Sequence, residues 1–132
     1  MADIPSPVNP VGWFEIYVSD MARARKFYEA VFGHPTQSLP PMPNDPDMQM
    51  CMFPMSETGQ GASGALVKHS KMQPGVGGTL VYFSCLDCAL EAARVASAGG
   101  TLTVPKMSIG EYGFIAMAQD TEGNLIGLHS QV

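Results

Sequence analysis

The residues best equipped for chemistry sit on two short apolar runs. In Trp13-Phe14-Glu15-Ile16-Tyr17-Val18 a single carboxylate stands among aromatic and β-branched side chains. Side chains two apart on an extended backbone share a face, so Trp13, Glu15 and Tyr17 fall on one side and Phe14, Ile16 and Val18 on the other. In Leu80-Val81-Tyr82-Phe83-Ser84-Cys85 the same alternation sets Leu80, Tyr82 and Ser84 against Val81, Phe83 and Cys85. A carboxylate buried without a partner is costly. Glu15 therefore meets solvent, pairs with Tyr17, Tyr82 or another polar group, or is held with a raised pKa as a general base. Ser84 and the two tyrosines offer hydrogen bonds to a ligand and Trp13 offers a stacking surface, although such aromatics serve equally as packing.

Other reactive residue types are less well placed. His34, His69 and His129 form no close pair of the His-x-x-x-His kind. His34 follows Gly33 at a helix end and reads as a cap or surface residue. His129 shares strand parity with Gly127, and His69 follows an expected strand. The chain holds ten methionines, and Met48, Met50 and Met52 alternate along one face of a third run. They read as core filler, or as a soft apolar wall for a ligand. Cys85-Leu86-Asp87-Cys88 is a C-x-x-C with Cys88 near a helix start, where a thiolate is favoured. Its Cys85 has core parity, however, and no second C-x-x-C completes a zinc site. In the Gly-flanked stretch from Lys106 to Gly113, Glu111 and Tyr112 could close over a ligand or simply form a hairpin.

The elements that position these groups come in two copies. A strand, an Asp, an amphipathic helix and a closing Gly appear at Trp13–Gly33 and again at Leu80–Gly100, with Asp20 and Asp87 separated by 67 positions. Such internal repetition fixes an architecture. Asp20 is expected to cap a helix from about Met21 to Phe32, with Ala24, Phe27, Val31 and Phe32 as its apolar stripe. Asp87 is expected to cap one from about Cys88 to Ala98, with Leu90, Ala93 and Val95 buried. Extended segments follow each helix, near Gln37–Leu39, Met48–Pro54 and Gly64–Lys68, then near Leu102–Pro105, Phe114–Gln119 and Leu125–Ser130. Two tandem βαβββ modules, about 11–70 and 78–131, make one α+β domain across residues 1–132. Its curved mixed sheets should enclose a concave cavity, with the helices outside.

The 132 residues suffice for one core and not two. A net charge of −5 without a Lys/Arg stripe argues against nucleic acid. No apolar run reaches membrane-spanning length, and Met1-Ala2-Asp3-Ile4-Pro5 shows no signal-peptide pattern. Three cysteines, an odd number, suit a reduced, cytoplasmic setting.

Val18-Ser19-Asp20, Ala24-Arg25-Lys26-Phe27-Tyr28, Phe32-Gly33, Ala98-Gly99-Gly100 and Asp120-Thr121-Glu122-Gly123-Asn124-Leu125-Ile126-Gly127-Leu128 together resemble the vicinal oxygen chelate superfamily. That superfamily includes glyoxalase I, bleomycin-resistance proteins and extradiol dioxygenases, and the resemblance spans roughly residues 11–130. It implies His or Glu metal ligands on the first and last strand of each module, aimed into the cavity. Carried over, three of these positions fall on Trp13, Leu80 and Gly127. The fourth lies near Gly64–Lys68, and no Asp or Glu occurs between Glu57 and Asp87. The usual divalent-metal site is therefore expected to be missing, and no cofactor is assigned; a metal would need His129 or His69.

The same carry-over turns Trp13, Glu15, Tyr17, Leu80, Tyr82 and Ser84 toward the cavity, with Met52, Tyr112 and His129 as further ligand contacts. A homodimer is likewise implied. The expected function is binding of a small, partly apolar or aromatic molecule. Lyase, isomerase or dioxygenase chemistry, with Glu15 as general base or with a non-standard metal site, is the alternative. A structural or regulatory role with an empty cavity stays open, and whether the chain is an enzyme is not decided.

Overall fold

A computed structural model describes residues 9–132; the chain start, read above for a signal peptide, lies outside the described residues. The chain runs β1 (Val11–Tyr17), α1 (Met21–Phe32), β2 (Gln37–Ser38), β3 (Gln49–Met52) and β4 (Gly64–Lys68), then β5 (Thr79–Ser84), α2 (Cys88–Arg94) and β6 (Thr101–Ser108). A short 3-10 turn at Gly110–Tyr112 leads into β7 (Phe114–Gln119) and β8 (Leu125–Ser130). All eight strands form one curled mixed sheet in the order β2-β3-β4-β1-β5-β8-β7-β6.

The repeat is visible in that order. Each module places its first strand parallel to its last, β1 on β4 and β5 on β8, and the modules join where β1 meets β5 antiparallel. The joint also settles equivalence across the repeat. Glu15 is the Cα partner of Ala65 on β4, and Tyr82 is the partner of Gly127 on β8.

Both helices start where their aspartates stop the extended backbone. The Asp20 carboxylate accepts from the Arg23 N–H at 3.0 Å, and that of Asp87 from the Ala89 N–H at 3.0 Å. Gly33 ends α1 in the left-handed region at φ 76°, which only a residue without Cβ adopts freely. α2 is shorter than expected. Beyond Arg94 the hydrogen bonds tighten to three-residue turns, Val95 to Ala92 and Gly99 to Ala96, before Gly100 turns back to the Val95 carbonyl at 3.0 Å.

The helices pack on one face of the sheet and leave the other face concave. Under α1 lie Val18, Met21, Cys51 and Leu66, joined by Ile16, Ala24, Tyr28 and Phe53. Under α2 lie Cys88, Ala92, Ala116 and Leu128, with Phe83, Cys85 and Phe114. Two helix stripes thus differ from expectation. Met21, Ala24 and Tyr28 carry the contact of α1, while Phe27, Val31 and Phe32 are 57–64% exposed. On α2, Cys88 and Ala92 are buried four residues apart, Leu90 and Ala93 point outward, and Val95 is half-buried. The covered face is the one whose residues repeat at helical spacing over the sheet, Met21, Ala24 and Tyr28 on α1 and Cys88 and Ala92 on α2.

The segment after Pro105 is also corrected. β6 continues through Ser108, and Lys106 reaches Asp87 at 2.8 Å and lies 4.6 Å from the Phe114 ring centre. β6 is an edge strand with two register shifts, a place where proline costs little. Among the described residues no helix is long and apolar enough to cross a membrane.

Candidate functional site

The concave face is an apolar patch built around one acid. Tyr17, Ala65, Val67, Leu80 and Tyr82 are its buried members, with Trp13, Met48, Met50, Met72, Ile115 and Met117 partly buried around them. Glu15 lies in their midst, opposite Leu80 on one neighbouring strand and Ala65 on the other, and is 6% exposed. The Tyr17 hydroxyl donates to one carboxylate oxygen at 3.0 Å, and the Trp13 indole N–H donates to the other at 3.3 Å. Strand parity thus delivers both the acid and its two donors, each two residues away.

Burial dominates the electrostatics of this group. Loss of solvent raises the Glu15 pKa, and the hydrogen bonds from Tyr17 and Trp13 offset only part of that rise. Burial and the neighbouring carboxylate both push the Tyr17 and Tyr82 hydroxyls up, so both phenols stay neutral. Of the three states open to Glu15 in the sequence, solvent contact is excluded by its burial. The carboxyl is paired, with Tyr17 and Trp13 rather than Tyr82, and its pKa is raised as well. Such a group holds its proton to higher pH than a free carboxyl, and can exchange it or orient a polar ligand atom against an apolar wall.

The metal positions carried over from the family are occupied by other matter. Trp13 and Leu80 cannot ligate, and the equivalence of Gly127 with Ala65 supplies the fourth position, a methyl group. At Gly127 the Tyr82 ring fills the volume in which a side chain would project, so that a Cβ there would overlap the ring. Among the described residues no group of three or more His, Cys, Asp or Glu side chains is placed to hold a metal ion. The residues present do not fit the family's metal.

The remaining expected site residues lie elsewhere. Ser84 ends β5, exposed, as the Cα partner of His129. His129 donates from Nε2 to the Tyr112 carbonyl at 2.6 Å, and the Tyr112 side chain is 49% exposed. These three gather at the far end of β8, apart from Glu15. Met52, half-buried, is the Cα partner of Ala65. Cys85 packs beneath α2, where burial pushes its thiol up to about 12, away from a reactive thiolate, and Cys88 is fully buried.

One feature escaped the sequence reading. A half-open cavity of about 750 Å³ lies beside the apolar patch, sharing Met48 and Met72 with it and bounded by Leu39, Asp47, Lys68 and His69. His69 is clamped there. Its Nε2 bonds Asp45 at 3.0 Å, and its Nδ1 accepts from the Lys71 N–H at 3.1 Å. The Asp47 carboxylate accepts from the backbone N–H and hydroxyl of Ser70, bonds that lower its pKa. These partners stand more than twenty residues apart, so no local pattern announces them.

The model of the Glyoxalase/Bleomycin resistance protein/Dioxygenase superfamily matches residues 11–128, from the first strand to the last. The chain belongs to this superfamily. No curated protein matches it in sequence. Among solved structures, a substituted form of Streptomyces coelicolor methylmalonyl-CoA epimerase in complex with 2-nitronate-propionyl-CoA superposes with a TM-score of 0.67 at 18% identity, covering 96% of this chain and 99% of that one. Methylmalonyl-CoA epimerase from Mycobacterium tuberculosis gives 0.66 at 16% identity, covering 93% and 88%. A hypothetical protein from Bacillus halodurans gives 0.69 at 10% identity, covering 92% and 94%. At these identities the likeness is one of fold. In this superfamily member the fold carries an aromatic and carboxyl cluster at the centre of the concave face.

Proposed function

We propose that this superfamily member binds a small, partly apolar or aromatic molecule on its concave face, with Glu15 as the polar contact. The observation that carries the reading is a lone buried carboxyl, held by Tyr17 and Trp13, within a patch whose outer members remain partly accessible. Trp13 and Tyr82 supply flat surfaces, and Met50, Met52 and Met117 supply an adaptable wall. Ser84, Tyr112 and His129 enter as contacts at the far end of the same face. The proposal includes a homodimer, as the family resemblance implies, and a cytoplasmic setting, in keeping with three free cysteines.

The test is a ligand screen read by the fluorescence of Trp13, the single tryptophan. Saturable quenching is the expected result. Calorimetry on a hit should then show Trp13→Ala weakening binding about three- to tenfold, the range of one aromatic contact, with Glu15→Gln weakening it less. A screen without any saturable response would sink the proposal.

A second reading has its own support. A carboxyl whose pKa burial raises is suited to removing a proton alpha to a carbonyl, and two of the structures that share the fold are named epimerases. Proton NMR in deuterium oxide against carbonyl compounds with an acidic α-hydrogen distinguishes the two. Exchange that disappears in Glu15→Gln while binding persists would establish the enzyme; binding without exchange would leave a binding protein.

A further inference from the structure

The cavity beside the apolar patch has a charge balance of its own. Three ionisable side chains line it: Asp47, Lys68 and His69. Two of them are spoken for. Asp47 is held by both hydrogen-bond donors of Ser70 and lies 3.4 Å from His69 Nδ1, and His69 is in turn bonded to Asp45. Lys68, at the end of β4, forms no ion pair among the described residues. Gln49 and Gln73 also line the cavity, and their side-chain amides have no hydrogen-bond partner among the described residues. The lining also carries apolar side chains, Val18, Leu39, Met48 and Met72. The available volume, about 750 Å³, is that of an ordinary small-molecule pocket.

We infer that this cavity is a binding subsite for a compact amphiphile, an apolar or aromatic body bearing one anionic group, with Lys68 as its counter-charge. The chemistry follows from what is free and what is used. Both Ser70 donors hold Asp47 through one carboxylate oxygen at the cavity edge, and Lys68 is the one ionisable lining group with no bonded partner among the described residues. An anion finds one ammonium free of any ion pair, with the Gln49 and Gln73 amides and thioether and branched aliphatic surface on the same cavity lining. The bond from His69 to Asp45 and those from Ser70 to Asp47 tie the 45–47 segment to residues 69–70 at the cavity edge. Met48 and Met72 belong to both the cavity and the Glu15 patch, so the subsite adjoins the concave face without using Glu15, Trp13 or Tyr82. The inference rests on the small-molecule-binding reading and adds a ligand class and a second location to it.

The experiment uses 2-naphthoate and its neutral counterpart 2-naphthamide as probes, titrated into the ¹⁵N-labelled full chain and followed by amide and indole NMR shifts. Saturable shifts at residues 47–49 and 68–73 are expected, with the naphthoate bound more tightly than the amide. Lys68→Gln should weaken naphthoate about three- to fivefold, the scale of one exposed charge pair, and leave naphthamide unchanged, with Lys68→Arg restoring most of the loss. Met72→Ala should weaken both probes alike. Shifts centred on the Trp13 indole with residues 68–73 unmoved would overturn the subsite and leave the concave-face reading standing. Equal affinity for the two probes, or insensitivity to Lys68→Gln, would overturn the anion assignment. Absence of saturable shifts anywhere would overturn the subsite, and the Trp13 fluorescence screen would then decide the broader reading independently.

Discussion

Glu15 is held in a place that favours its uncharged form. A group whose folded-state pKa lies above its unfolded value contributes stability that is fully present below the unfolded value and is lost as pH rises through the folded one. For Glu15 that loss begins near its ordinary value of 4.5 and grows upward, because burial outweighs the two hydrogen bonds. Asp47, Asp87 and Asp120 have lowered pKa values and act in the opposite sense, losing stability as pH falls. Comparing wild type with Glu15→Gln isolates the first effect. Urea unfolding should show the variant gaining on wild type as pH is raised from 4.5 to 8, with the two nearly equal at pH 4. A difference that is constant with pH would mean that Glu15 is not titrating in the folded protein.

Between elements, the parallel pairing of β5 with β8 depends on a missing side chain. Gly127 allows the Tyr82 ring to lie flat across β8, and any Cβ there meets that ring. Gly127→Ala is expected to cost about 1–3 kcal/mol, the range for overpacking a buried site, measured as a lower urea midpoint. Tyr82→Leu in the same chain should recover part of that loss, since the two substitutions share one contact and are not additive. A neutral Gly127→Ala would show that the ring is free to move aside. The same pair explains the metal result. The position that could point a ligand inward is given over to an aromatic ring, and its counterpart on β4 is Ala65.

For the whole molecule, the helices leave large apolar side chains in water. Phe27, Val31 and Phe32 on α1, and Leu86 and Leu90 beside and on α2, are all more than half exposed. A homodimer gives such side chains somewhere to go, and sedimentation velocity should find a species of twice the mass of one chain. Phe27→Ser together with Phe32→Ser is expected to shift it toward monomer if α1 contributes to that interface. A monomer at all concentrations would remove the homodimer from the proposal.

What the chain determined by itself was what periodicity and local capping can encode. The aspartate caps, the strand at Gly64–Lys68 and the last two strands follow from patterns within a few residues, and the repeat from the recurrence of such a pattern 67 positions on. Alternation likewise put Trp13, Glu15, Tyr17 and Tyr82 on one face, and they meet there. Other outcomes depended on surfaces brought together from far apart in sequence. Which side of each helix is covered was settled by how the helix seats on the sheet, against the hydrophobic stripe expected for α1. Glu15 became a buried, paired acid because β4 and β5 close on both sides of β1. Ser84, Tyr112 and His129 parted from it because the face is longer than any one ligand contact. The His69 clamp and its cavity arose where two turns meet across more than twenty residues. Only the assembled sheet sets such distances, since a side chain's partners across strands are chosen by register and closure rather than by its neighbours along the chain.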